Sequence, residues 1–257
     1  MIARLQFALI LIAALAAGVI NAIAGGGTLL SFPALVAIGI SPVLANATNT
    51  VALVPGSFAG ALGFRRNLAE VPRWMLLLTI PSLVGGALGA VILLHTSTKT
   101  FSRLVPFLIL GATILLASQE LITRRLRHFL ESHERGASPG WITFAFSFQL
   151  LVGIYGGYFG AGIGILMLAA LGLIGMRDLH QMNGLKNLLA ICINGVAAIY
   201  FIVAGAVLWH YAIAMAAASI AGGFLGARLA HRLGRKFVRG AVVAIGLVMT
   251  VALFVKS

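Results

Sequence analysis

Polar residues are scarce along this chain and gather in a few short clusters, and the apolar runs between them set the architecture. Runs punctuated by Gly, Pro and Arg fall at 5–24, 28–40, 43–63, 73–94 and 102–123, and again at 140–159, 163–175, 179–203, 207–229 and 236–256. Most are long enough to cross a bilayer. Backbone in hydrocarbon must satisfy its own hydrogen bonds, so a run such as Trp74 to Leu94 is expected as a helix rather than a strand. The two short members, 28–40 and 163–175, make roughly 20 Å of helix against a core of roughly 30 Å and are expected as half-helices or re-entrant arms. The fold class is an all-α integral membrane protein.

The pattern occurs twice. Ser82-Leu-Val-Gly-Gly-Ala-Leu-Gly-Ala90 returns as Ser219-Ile-Ala-Gly-Gly-Phe-Leu-Gly-Ala227, 137 residues later, and Ala47-Thr-Asn-Thr50 falls on Gly184-Leu-Lys-Asn187 at the same offset. The Gly25-Gly-Gly27 break returns as Gly160-Ala-Gly162. Two halves interrupted by glycine at matching places are the mark of a secondary transporter whose site lies between repeats. The organisation expected is a first repeat at 1–123, a cytoplasmic basic linker at 124–139 and a second repeat at 140–257, each repeat with about five segments. An odd number of segments inverts the second repeat relative to the first.

Composition agrees, with 61% hydrophobic and 9% charged residues. The net charge of +13 comes from 18 Lys+Arg against 5 Asp+Glu. In a soluble protein that balance would suggest nucleic acid, but here the bases sit in short loops without interleaved aromatics, so no nucleic-acid partner is expected. Their expected partner is the anionic cytoplasmic lipid surface. Loop charge also tests inversion. Arg65, Arg66 and Arg73 flank one loop of the first half and Lys99 and Arg103 the next, whereas in the second half the matching loops carry none and then Arg228, Arg232, Arg235, Lys236 and Arg239. The bias swaps sides. With the linker inside, the positive-inside rule puts both termini on the outer face of the cytoplasmic membrane.

The first twenty residues have the outline of a secretory signal, but cleavage would remove part of a repeat and is not expected. Cys192 stands alone in an apolar run, which excludes an internal disulfide and leaves no cysteine pair for metal or redox chemistry. No metal site, cofactor or catalytic residue is expected. Ser57 and Ser219 lack any nucleophile spacing, so the protein is not read as an enzyme.

Three adjacent glycines inside a span cost about 1 kcal/mol each relative to alanine in a helix. Gly25, Gly26 and Gly27 should therefore unwind the chain, and a half-helix starting at Thr28 would present backbone N–H groups and its positive dipole end to an anion, with the Thr28 hydroxyl at the cap. Gly160 and Gly162 should do the same in the second half. Close helix packing by small residues is the alternative for the Gly25 to Gly27 run and the favoured reading for the glycines after Ser82 and Ser219. Asn46-Ala-Thr-Asn-Thr50 lies opposite Asn183-Gly-Leu-Lys-Asn187, and Lys186 is the only basic residue well inside a span. A charge at such depth faces a pathway or a partner. It would pair with an anion whose oxygens are fixed by Asn and Thr donors, or else neutralise Asp178 or snorkel to the interface. Tyr155 and Tyr158 are read as interface anchors, Asn194 as a contact between helices, and His180 as the one histidine placed to carry a proton.

On these residues the chain resembles the TauE/SafE family of sulfite and organosulfur-anion transporters. The resemblance rests on Asn21-Ala-Ile-Ala-Gly25-Gly-Gly-Thr28, the Ala47-Thr-Asn-Thr50 helix start, the repeated serine-glycine motif and the basic central loop. It implies a small sulfur oxyanion such as sulfite, thiosulfate or a sulfonate, moved across the cytoplasmic membrane. The substrate-binding set expected is Asn21, Gly25, Gly26, Gly27, Thr28, Thr48, Asn49, Thr50, Gly160, Gly162, Asn183, Lys186 and Asn187. Expelling a monoanion from a negative interior gains about 2.3 kcal/mol per 100 mV, so export can run on potential alone. The alternatives are a passive anion channel and a membrane sensor or assembly protein that binds without translocating. Glycine-rich faces would permit a homodimer.

Overall fold

The computed structural model describes residues 2–23, 26–62, 68–131, 139–174, 176, 178–229 and 235–256. Within them lie ten helices of ten residues or more. The first five are α1 (Ile2–Ile23), α2 (Thr28–Ala37), α3 (Pro42–Leu62), α4 (Thr79–His95) and α5 (Thr98–Glu131). The second five are α6 (Pro139–Tyr158), α7 (Ile163–Leu173), α8 (Leu179–Val203), α9 (Trp209–Leu229) and α10 (Arg235–Lys256). A single helical turn, Arg73–Leu76, precedes α4. No strand occurs among the described residues.

Three stretches of the described residues are long and apolar enough to cross a membrane by length and composition: Arg73–His95, Thr98–Ser118 and Gln181–Val203. Helices α2 and α7, with 10 and 11 residues, rise only about 15 to 17 Å, half of a hydrocarbon core. Helix α5 differs from its expected end. It continues to Glu131, so the first half of the basic stretch 124–139 is helix, while 132–138 lies outside the described residues. So do Arg65, Arg66, Arg135 and Arg232, and the side chains of Arg124, Arg125, Arg127, Arg228, Arg235 and Lys236; the charge argument on those positions stays with the sequence.

The packing has an exchange symmetry. Helix α4 lies along α6 as α9 lies along α1; α9 packs on α3 as α4 packs on α8; and α3 meets α8 while α5 meets α10. Each half therefore lends its fourth helix to the first and third helices of the other. Glycine makes these seams possible. A side chain on Gly157 would strike the backbone oxygen of Gly86, one on Gly89 that of Ile154, and Gly85 faces the Cα of Gly153. On the other side a side chain on Gly222 would strike the backbone oxygen of Leu15, and one on Gly18 that of Ser219. The repeated serine-glycine motif is thus a backbone-to-backbone contact, the kind that drives association in lipid, where apolar area alone gives no advantage. Ser219 adds a hydrogen bond from Oγ to the Ala52 carbonyl, 2.9 Å away on α3.

The outward faces are apolar, as Leu5, Leu9 and Ile12 on α1 and Ile199 and Val203 on α8 illustrate. The interior core gathers where the halves meet. Phe32 of α2 stands edge-on to Phe159 at 5.4 Å, and Phe101 of α5 stands edge-on to Tyr158 at 5.4 Å. Phe32, Phe101 and Phe159 are fully buried. The half-helix of the first repeat is therefore locked against the glycine break of the second.

Candidate functional site

Where α1 gives way to α2, Gly26 has φ +95°, a backbone conformation open to glycine at no steric cost. Gly27 sits so close to α1 that a side chain would strike the Ala17 carbonyl. Its N–H donates to Asn21 Oδ1 at 2.8 Å. The expectation that the Thr28 hydroxyl caps α2 is corrected here: the cap position is Gly27, Thr28 is the first helical residue, and Asn21 takes the freed N–H. Asn21 thereby ties the start of α2 back to α1. Gly25 lies outside the described residues.

At the second break Gly160 and Gly162 have φ +79° and +80°. The Tyr155 hydroxyl donates to the Ala161 carbonyl at 2.8 Å, so Tyr155 latches the unwound segment instead of anchoring at the lipid interface. Gly160 faces α8, where a side chain on it would come within 3.6 Å of Asn194 Oδ1. The aliphatic stem of Lys186 lies over the first turn of α7, 3.5 Å from where a Cβ on Gly164 would be. Its ammonium donates to Asn183 Oδ1 at 3.2 Å. Asn187 follows, half-buried, on the same helix. The Asp178 carboxylate accepts the Gln181 N–H at 2.9 Å and so caps α8. The His180 side chain is outside the described residues.

Both breaks rest on α5. Side chains added at Gly26 and Gly162 would reach within 3.7 Å of Leu116 and 3.6 Å of Ala112. Those residues are four apart, so the breaks are separated by about 6 Å along the helix axis. Two half-helix N-termini from different repeats thus converge at mid-length of one helix, with Lys186 alongside one of them.

The polar start of α3 divides. Thr48 Oγ1 accepts the Leu208 N–H at 3.1 Å, where α9 begins, and Thr50 Oγ1 donates to the Asn46 carbonyl at 2.9 Å. These two hydroxyls, expected on the substrate, are engaged with backbone. Asn46, left out of the expected set although it is the repeat partner of Asn183, donates from Nδ2 to the Tyr158 carbonyl at 3.0 Å. The Oδ1 atoms of Asn46 and Asn49 are buried without hydrogen-bond partners among the described residues, each residue being 1% exposed.

The chain resembles known proteins over most of its length. A family model described as Sulfite exporter TauE/SafE matches residues 10–253. A "Probable membrane transporter protein" of Haemophilus influenzae is 30% identical over 245 residues, covering 91% of this chain and 89% of the relative. The "Probable membrane transporter protein YfcA" of Escherichia coli K12 is 29% identical, covering 100% of this chain and 93% of its own length. A "Probable membrane transporter protein ORF9" of a Sinorhizobium species is 27% identical, covering 96% and 91%. No solved structure matches.

Proposed function

We propose a function from one premise: this chain belongs to the TauE/SafE sulfite exporter family. It is a multi-pass membrane protein and a membrane transporter. Its cargo, on our reading, is a small sulfur oxyanion of the sulfite, thiosulfate or sulfonate type, carried outward across the cytoplasmic membrane by alternating access. The observation that carries this reading is the meeting of the two glycine breaks on Ala112 and Leu116 with Lys186 against the first turn of α7. Half-helix N-termini offer N–H groups and positive dipole ends, and the part-buried Lys186 ammonium adds a full charge, so the combination supports an anion held between repeats.

The symmetric exchange of fourth helices supports a reading of the two halves as inverted repeats that rock about that place. In this mechanism Lys186 holds the anion by charge, Asn183 positions the ammonium, and Asn187 and Thr28 offer donors to its oxygens. Asn21 keeps α2 pointed at the site. Nothing in this scheme requires bond making or breaking, and the protein acts as a carrier and not as an enzyme.

The test is thermal unfolding of purified protein with sulfite, thiosulfate, sulfonates, sulfate and carboxylates, followed by counterflow in sealed vesicles. A sulfur oxyanion should raise the unfolding temperature and show saturable counterflow. Lys186→Ala should weaken its binding about tenfold or more, the scale of a lost charge-assisted hydrogen bond. Binding unchanged in that variant would remove Lys186 from the site. Flux without saturation or counterflow would make the protein a channel.

A further inference from the structure

Helices α3 and α8 correspond residue by residue across the repeat: Asn46 stands where Asn183 does, and Asn49 where Lys186 does. In the second half the Asn183 carboxamide oxygen accepts a hydrogen bond from the Lys186 ammonium at 3.2 Å. In the first half both positions hold carboxamides, and the oxygens of both are buried without a partner among the described residues. They lie three residues apart, on one face of α3. A carboxamide oxygen only accepts, so what completes it must donate or carry positive charge. For Asn46 the orientation is fixed, because its Nδ2 donates to the Tyr158 carbonyl at 3.0 Å and a flipped amide would set two oxygens against each other.

We propose that the first repeat binds a small monovalent cation of the sodium class between the Asn46 and Asn49 oxygens, at the position equivalent to the Lys186 ammonium, and that this cation couples to anion movement. The cargo anion itself does not suit the place, since its lone pairs would face two acceptor oxygens. A divalent cation does not suit it either, because such ions call for carboxylates. The acids Glu70, Glu120 and Asp178 bond elsewhere, to Gln181, Arg239 and the α8 N-terminus. Neutral oxygens beside unwound backbone are how transporters hold sodium. Asn46 reaches such backbone directly, since the Tyr158 carbonyl it holds immediately precedes the break at 159–162. One repeat would then carry a built-in cation and the other an exchangeable one.

This inference rests on the transporter reading above, and its test separates the two. Purified protein is unfolded thermally in sodium, potassium and choline chloride at constant ionic strength, each with and without sulfite. The expected result is a saturable rise in unfolding temperature with sodium over choline. In Asn46→Ala the half-saturating sodium concentration should rise about tenfold or more. Asn49→Lys, which reproduces the second repeat in the first, should unfold at the cation-saturated temperature whether or not sodium is present. Identical unfolding of the native protein in all three salts overturns the cation site and leaves the anion site standing. A full sodium response in Asn49→Lys overturns it too. If that variant does not fold, Asn49→Ala gives the same decision through its half-saturating concentration. Sodium stabilisation with no response to sulfite or any other anion would uphold the cation site and remove the anion reading.

Discussion

At the first glycine break the chain closes on itself, with Asn21 of α1 accepting the Gly27 N–H, while at the second the corresponding place holds Gly156 and the side chain lying along the half-helix is Lys186 from α8. The backbone device is shared and the polar chemistry is not. Both breaks use glycines in the left-handed region, both start a half-helix of ten or eleven residues, and both rest on α5. What differs is the source of the compensating groups. The first break is tied down by a neutral amide from its own half, the second by a tyrosine latch, with the stem of Lys186 lying alongside. A repeat that has kept its scaffold and changed its side chains shows where the scaffold ends and the chemistry begins.

The sharpest way to break this comparison is at the seams, where the two halves should respond alike. Gly157→Ala and Gly222→Ala each drive a Cβ into a backbone oxygen of the facing helix, Gly86 and Leu15 respectively. Neither contact yields by a change of rotamer. Each substitution should cost about 3 kcal/mol, the upper end of overpacking, and lower the unfolding temperature by similar amounts. Gly111→Ala, on α5, where the added methyl meets no described atom beyond its own stretch of helix within 4 Å, should instead leave stability unchanged or raise it by about 0.5 kcal/mol through helix propensity. A large loss in only one of the two seam variants would show that the exchange symmetry of the fold does not extend to its energetics.

Asn21→Ala sharpens the comparison from the other side, because only the first break has this tie. Removing the amide leaves the Gly27 N–H without its acceptor inside an apolar protein, at a cost of about 1.5 kcal/mol. Hydrogen exchange should rise at Gly27 and along the first turn of α2 and remain as in the native protein at 160–165. Exchange rising equally at both breaks would mean that they open as one unit.

Much of this was legible in the residues because glycine and apolar length speak directly about backbone. All ten helices fall where the apolar runs place them, and the two half-helices start at the residues following the glycine breaks. The packing role of the repeated serine-glycine motif was equally readable, since glycine in lipid-embedded helices means close approach. Side-chain direction was not readable. Thr48 and Thr50 stand in a cluster that looks like a ligand shell, yet both hydroxyls meet backbone, one of them 160 residues away at Leu208. Tyr155 looked like an interface anchor because it ends a span, and only the fold reveals that the Ala161 carbonyl is beneath its hydroxyl. Asn46 carried a signal that went unused: it matches Asn183 at the repeat offset. The continuation of α5 to Glu131 was hidden by its arginines, which interrupt the apolar run without ending the helix.

The smallest expected effect belongs to the Tyr155 latch, and it discriminates most finely between the breaks. Tyr155→Phe keeps the ring and removes one hydroxyl, so the packing of Tyr155 against its core neighbours is retained. The Ala161 carbonyl loses its donor at 2.8 Å. A carbonyl tolerates under-satisfaction better than an N–H does, and the net loss should be about 1 kcal/mol. The consequence should therefore be local. The unwound stretch 159–162 loses one of its ties, α7 begins less sharply, and the first turn against which the Lys186 stem lies becomes looser. Measured by anion-induced stabilisation, Tyr155→Phe should weaken binding about fivefold, whereas Asn21→Ala should change it less, because its tie serves α2, away from the ammonium. If the two variants weaken anion binding equally, the two half-helices contribute evenly to holding the anion and the difference between the breaks concerns stability alone.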